Sequence, residues 1–197
     1  MLDTNLLLAW GGNYKKISAG EQIFAEGNPC NFYFQLVSGR IKWVNIDEDG
    51  KEFLHYIIEA GEAFGDLPLS ENEYHSGSAI AENDSVIIRL HAPVFRQILS
   101  EHSNLLLSFA IMLSKQLKNR SRTMCSLAFN HPEKRILELI ENLVHENRNI
   151  CSKCRQLKLT RQQIADMTGL RVETVIRAMR HMHERGELTI EKGKVYC

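Results

Sequence analysis

The sequence predicts an α+β protein: an antiparallel β-roll of the double-stranded β-helix or jelly-roll type, one long helix, and a C-terminal winged helix-turn-helix. Three observations predict it. Glycine-punctuated β-rich runs fill residues 14–90, and apolar residues at coiled-coil spacing run from Leu106 to Leu127. A capped helix, a glycine turn, a second helix and a hairpin then close the chain. The expected division is residues 1–103 for the roll, 104–130 for the long helix and 131–197 for the C-terminal domain.

Within the roll, Gly20, Gly27, Gly39, Gly50, Gly61 and Gly65 separate short runs at residues 32–37, 41–46, 53–58 and 85–90. Strands at intervals of about 8–12 residues with turn residues between them indicate an antiparallel sandwich or roll. Asp47-Glu48-Asp49-Gly50 reads as a hairpin turn, because glycine takes positive φ without strain. After Pro93 the pattern turns helical. Residues 94–99 form a short helix, and Ser103 or Asn104 is the expected cap of a longer one reaching Phe129. Along it Leu106, Ala110, Leu113, Leu117, Arg120, Met124 and Leu127 keep a 4-3-4-3 spacing, the seam of a coiled coil. Leu105, Leu107, Phe109, Ile111 and Met112 add apolar surface off the seam. Such a helix can cover its own sheet and still offer a face to a second copy, so a homodimer is expected; burial of the seam in the chain's own core is the alternative.

Asn130-His131-Pro132 ends the long helix. Ile136, Leu139, Ile140, Leu143 and Val144 trace one face of the next helix, and a polar stretch at residues 145–156 follows. Thr160-Arg161-Gln162-Gln163 then fits a capping box. Its helix carries Ile164, Ala165 and Met167 and stops at Gly169, a residue suited to the left-handed closing position. Residues 171–185 form the second helix, with Val172, Val175, Met179 and Met182 inward. Ala165, Gly169 and Val175 have helix-turn-helix spacing, and residues 188–191 and 194–197 flank Lys192-Gly193 as a wing.

Composition limits the function classes. The 197 residues are 44% hydrophobic and 24% charged, and their net charge of zero divides unevenly. It is −7 over residues 1–117, +2 over 118–149 and +5 over 150–197. An acidic front and a basic back indicate that the back meets a polyanion, with scattered solvated charge as the plain alternative. The run Leu105–Leu107 falls far short of the roughly 20 residues that a bilayer requires. Residues 1–10 lack the basic start and small-residue site of an export signal, so a cytoplasmic chain with no membrane partner is expected. Cys30, Cys125, Cys151, Cys154 and Cys197 make no even framework and are expected as reduced thiols.

The winged tail therefore nominates double-stranded DNA as partner. Glu173 and Arg177, four apart near the start of the second helix, can read base edges: arginine suits guanine O6 and N7, glutamate accepts from cytosine N4. An exposed ion pair between the two is the alternative. Thr160, Thr174, Arg180, Lys192 and Lys194 are candidate backbone contacts.

Residues 159–165, Gly169 with residues 172–177, and Gly65-Asp66-Leu67 in the roll together resemble the Crp/Fnr family of bacterial regulators, whose order of roll, long helix and winged domain also matches. The resemblance implies a twofold dimer on a palindromic site, a partnership with RNA polymerase and a sensory role for the roll. Val172-Glu173-Thr174 with Arg177 is similar to the anaerobic branch and implies a TTGA-type half-site. Ile176 stands where that branch has serine, so the first thymine contact is not carried over. By the same resemblance the effector pocket would comprise Gly65, Asp66, Leu67, His75, Ser76, Arg120 and Ser121. It is degenerate: Asp66 occupies the position of the ribose-binding glutamate, and His75 or Ser76 that of the phosphate-binding arginine. No Lys or Arg occurs from Gly65 to Ile88. A different effector, or none, is expected, and the cofactor is unassigned. No cysteine precedes Cys30, unlike the iron–sulfur members of that branch.

Three other readings are open. Cys151-Ser152-Lys153-Cys154 can serve a redox- or metal-responsive regulator if Cys125, Cys197, His131 or His145 completes a site, although metal ligation is not the first expectation. A thiol oxidoreductase using Cys151 and Cys154 lacks the surrounding βαβ context. A ligand-binding module without DNA leaves the tail unexplained. No enzymatic activity is expected.

Overall fold

In the computed structural model, which describes residues 2–197, the front of the chain is two stacked four-stranded antiparallel sheets. One contains β1 (Asn13–Ile17), β8 (Ser85–His91), β3 (Phe32–Ser38) and β6 (Ala63–Phe64) in that order. The other contains β2 (Gln22–Phe24), β7 (Ser78–Ala81), β4 (Ile41–Ile46) and β5 (Glu52–Ile58). The β4–β5 hairpin closes as its residues dictate. Gly50 has φ 78°, and the Asp47 carboxylate accepts from the Lys51 N–H at 2.8 Å.

Strands β3 and β8 are apolar on both faces, and the structure gives the reason. Phe34, Leu36 and Ile87 fill the interior between the sheets with Phe24, Trp43, Ile58 and Phe64. Tyr33, Ile88 and Leu90 face the other way, under helices. Those helices are α1 (Thr4–Ala9), α2 (Ala92–Glu101) and the start of α3 (Ser103–Phe129). Tyr33 stacks on Phe95 at 4.6 Å, and Phe109 meets both rings edge-on. Each fully buried aromatic of this kind contributes about 1.5–3 kcal/mol.

The chain separates into two units, Met1–Gln116 and Leu117–Cys197, so the division falls inside α3. Helix α3 starts at Ser103, and the His102 carbonyl accepts from the Leu105 and Leu106 N–H groups. The sequence-based cap at Ser103 or Asn104 is thus displaced by one or two residues, because the preceding helix ends at His102. The seam is mostly solvent-facing: Leu106, Ala110, Leu117, Arg120 and Met124 are exposed, and Leu113 and Leu127 are half-buried. None of the seven is buried in its own unit.

The second unit adds α4 (Pro132–His145), α5 (Arg161–Thr168), α6 (Val172–Glu184) and a hairpin of β9 (Thr189–Glu191) and β10 (Lys194–Tyr196). Thr160 and Gln163 complete both halves of the capping box. Gly169, at φ 66°, ends α5 in the left-handed conformation and turns the chain. Ile136, Ile140, Ile164, Ala165, Val175, Met179 and Met182 form the core with Leu188 and Val195. Val172, expected inward, is half-buried because it starts the helix. The stretch at residues 145–156 is not a plain polar loop. Asn149 and Ile150 are buried, Ile150 pairs with Leu157, and Gln156 pairs with Tyr196 of the wing. No described helix is long and apolar enough to cross a membrane.

Candidate nucleic-acid interface and sensor pocket

Helix α6 buries one face and leaves the other uncommitted. Val175, Ala178, Met179 and Met182 are inward. Arg171, Glu173, Ile176, Arg177 and Arg180 are exposed, and Thr174 is half-buried. Glu173 and Arg177 lie one turn apart on the outer face, yet they form no ion pair or side-chain hydrogen bond among the described residues. The two side chains project as independent groups. Arg180, Lys192 and Lys194 are likewise exposed and make no such bond among the described residues.

Other cations of the same unit are already engaged. Arg185 donates to Glu133 at 2.7 Å and to Glu187 at 2.8 Å, and His181 lies 3.4 Å from Glu133. The Arg185 guanidinium and the His181 ring hold the Glu133 carboxyl below the usual carboxylate range. Arg135 donates to the Asn130 carbonyl, and Arg161 to that of Gly193 in the wing turn. Exposed cations without a side-chain partner among the described residues thus include Arg177 and Arg180 on the outer face of α6 and Lys192 and Lys194 on the wing, as well as Lys118, Arg122 and Lys153 elsewhere in the unit.

Two further groups suit phosphate. The Thr160 hydroxyl accepts from the Gln163 N–H at 3.1 Å, which leaves its own O–H free to donate outward. The first turn of α6 presents unpaired backbone N–H groups at the positive end of the helix dipole. Lys192 and Gly193 at the wing tip both have positive φ, 47° and 78°, a tight turn that leaves the Lys192 and Lys194 side chains outside.

The expected pocket residues of the roll are brought together only in part. After β6, Gly65 turns at φ 86° and delivers Asp66 to Ser76, whose N–H donates at 2.7 Å and whose hydroxyl donates at 2.9 Å. His75 is buried and stacks on Phe24 at 3.7 Å, with Nδ1 3.7 Å from the Asp66 carboxylate. Burial pushes the Asp66 carboxyl upward, but the His75 ring and the Ser76 donors outweigh it and hold the group below its usual range. Leu67 packs against the outer core cluster. Arg120 and Ser121 are exposed on the part of α3 that belongs to the second unit.

These residues do not fit a cyclic nucleotide. The carboxylate at the ribose position is occupied by Ser76, and the two candidate phosphate positions are a buried imidazole and a hydroxyl that both serve Asp66. Neither makes the charged bidentate fork that such a phosphate requires. The roll interior does retain a cavity of about 230 Å³, lined by Phe24, Phe34, Ile87 and His75 with Lys15 and Arg89.

Cys30 was not marked by any sequence signal, and the fold carries it to this place. Its Sγ lies 3.4 Å from His75 Nδ1, and burial, with Asp66 and Glu73 nearby, pushes the thiol up to about 12. Cys151 behaves oppositely. Backbone N–H groups of Cys154 and Lys153, helped by the Cys154 side chain and Lys158, lower it to about 7. No third His, Cys, Asp or Glu among the described residues joins Cys151 and Cys154 at ligating distance, so Cys125, Cys197, His131 and His145 do not complete a site there.

Two family models match the chain: the cyclic nucleotide-binding domain over residues 14–102 and the Crp-like helix-turn-helix domain over residues 134–196. The chain is 28% identical over 161 residues to the cAMP-activated global transcriptional regulator CRP of Pasteurella multocida, covering 81% of this chain and 77% of that one. It is 28% identical over 182 residues to electron transport regulator A of Shewanella oneidensis, covering 91% and 72% respectively. Among solved structures, the c-di-GMP responsive global regulator CLP of Xanthomonas campestris matches with a TM-score of 0.79 at 21% identity, over 98% of this chain and 96% of that one.

Proposed function

The chain belongs to the Crp/Fnr family of bacterial transcriptional regulators, and from that premise we propose how this DNA-binding regulator reads its site. It acts as a cytoplasmic homodimer, joined along α3, that sets two copies of α6 into successive major grooves about 34 Å apart. Each α6 reads a TTGA-type half-site. Arg177 donates two hydrogen bonds to a guanine, Glu173 accepts from a cytosine N4, and the exposed Ile176 suits a thymine methyl group. Thr160, Thr174, Arg180, Lys192 and Lys194 hold the phosphates, and RNA polymerase is the downstream partner.

The observation that carries this reading is the uncommitted pair on α6. A structural ion pair would be closed, whereas Glu173 and Arg177 are exposed and have no partner among the described residues. The degenerate roll pocket supports an effector other than a cyclic nucleotide, and the tail's complete motif supports regulation over enzymatic activity.

Arg177→Ala tests the reading. Binding to a duplex with two TTGA half-sites falls by about 1–3 kcal/mol per half-site, while binding to a scrambled duplex stays unchanged. Equal losses on both duplexes assign Arg177 to phosphate and contradict base reading.

A further inference from the structure

The triad of buried Cys30 and His75 with half-buried Asp66 has no role in DNA recognition, and its geometry is unusual. Cys30 lies between β2 and β3, Asp66 directly after β6 and His75 just before β7. The sulfur, one imidazole nitrogen and one carboxylate oxygen all lie within 4.8 Å of one another. Both Cys30 Sγ, at 3.4 Å, and Asp66 Oδ2, at 3.7 Å, approach the same atom, His75 Nδ1.

The Cys30–His75 approach lies within reach of a sulfur hydrogen bond and the Asp66 carboxylate accepts from Ser76, but neither bond accounts for Asp66 Oδ2 also standing 3.7 Å from Nδ1. A ring nitrogen carries one proton or one lone pair, so it serves one neighbour at a time. The carboxylate distance also exceeds the range of an ordinary hydrogen bond. A relay of the cysteine-hydrolase kind is excluded too, because it needs thiol and carboxylate on opposite ring nitrogens. A shared cation is consistent with the two distances to Nδ1, 3.4 and 3.7 Å. Zinc binds sulfur at about 2.3 Å and nitrogen or oxygen at about 2.0–2.2 Å, and tetrahedral angles then set donor pairs about 3.4–3.6 Å apart.

The geometry points to a site for one divalent metal of the zinc class, held by Cys30 Sγ, Asp66 Oδ2 and His75 Nδ1. The donor set is borderline-soft, with sulfur, imidazole and a single carboxylate, which suits zinc over magnesium or calcium. Binding exchanges the Cys30 S–H bond for a sulfur–metal bond and releases the proton to water. Thiolate and carboxylate together then neutralise the divalent charge in a buried place. Three protein ligands leave a fourth position for water or a small ligand. His75 also borders the 230 Å³ cavity of the roll. The neighbourhood holds the ring: Phe24 stacks on it at 3.7 Å, and Trp43 meets it edge-on at 6.4 Å. Main-chain bonds from Cys30 N–H to the Glu73 carbonyl and from His75 N–H to the Asn28 carbonyl, both 2.8 Å, fix two ligands to each other. The metal would fasten Asp66 to them.

Cobalt is the probe. The full chain, stripped by a chelator, is titrated with Co²⁺ under reducing conditions, followed by near-ultraviolet and visible absorption. The expected result is a sulfur-to-cobalt charge-transfer band with tetrahedral visible bands, saturating at about one metal per chain and displaced by Zn²⁺. Cys30→Ala loses the charge-transfer band. Asp66→Asn, at the more open edge of the site, folds as the wild type does and binds at least about tenfold more weakly. The double variant Cys151→Ser/Cys154→Ser keeps the wild-type spectrum. No cobalt absorption in the wild type overturns the proposal, as does an unchanged affinity in Asp66→Asn. A band that survives Cys30→Ala but disappears with Cys151 and Cys154 also overturns it.

Discussion

Arg177 and Arg185 carry the same guanidinium eight residues apart, yet one is free and the other is clamped between Glu133 and Glu187. The sequence alone does not separate them, since both are basic residues in a basic tail; the difference comes from where α4 places Glu133. The cysteines divide in the same way. Cys151 and Cys154 are legible as a motif, but the lowered thiol of Cys151 follows from N–H groups that the turn at residues 152–154 aims at its sulfur. Cys30, isolated in sequence, lies 45 residues from His75 and meets it only through the packing of the roll. One prediction belongs at this scale. A group lowered to about 7 is mostly thiolate at pH 8 and mostly thiol at pH 6, so iodoacetamide alkylation of Cys151 rises with a midpoint near pH 7. Buried Cys30, raised to about 12, stays unmodified over that range. Peptide mass mapping across pH 5–10 checks both, and a Cys151 midpoint at the ordinary thiol value of about 8.5 contradicts the account.

Helix α3 is the element on which the proposed homodimer depends. Its inner residues, Leu105, Phe109 and Met112, pack with the outer core of the roll. Leu117 and Met124 are 71% and 69% exposed, so they contribute little to the packing of their own chain. Replacing both with aspartate therefore leaves each chain's own fold intact while putting charge into the proposed homodimer seam, and only the stabilisation that association supplies is lost. Sedimentation should give a monomer, and affinity for a two-half-site duplex should fall by about a hundredfold or more as the second binding event is lost. A double variant that remains dimeric places the homodimer contact elsewhere. Elements with local signals were legible in advance: the Thr160–Gln163 box, the Gly169 turn, the Asp47–Gly50 hairpin and the break at Pro132. Those fixed by distant packing were not. Strand β2 and helix α1 are short segments held by Phe24 and Leu7 in cores that the rest of the chain supplies.

Across the whole molecule, charge and exposure tell one story. The acidic front builds the roll, and the basic back commits some of its cations to internal pairs and leaves others exposed, among them those on α6 and the wing. At the positions that the family resemblance assigns to a cyclic-nucleotide pocket, the roll carries Asp66, His75 and Ser76 in place of the expected glutamate and arginine. That alteration was legible from the absence of Lys and Arg between Gly65 and Ile88. The convergence of Cys30, Asp66 and His75 was not, because it depends on three connections meeting at one end of the roll. Selection of bound duplexes from a fully random pool tests the central claim most directly. The account predicts recovery of a twofold-symmetric sequence with two TTGA-like half-sites one helical turn apart, and loss of the inner guanine preference in Arg177→Ala. Recovery of duplexes with no shared sequence, by a protein that still binds them, would contradict it.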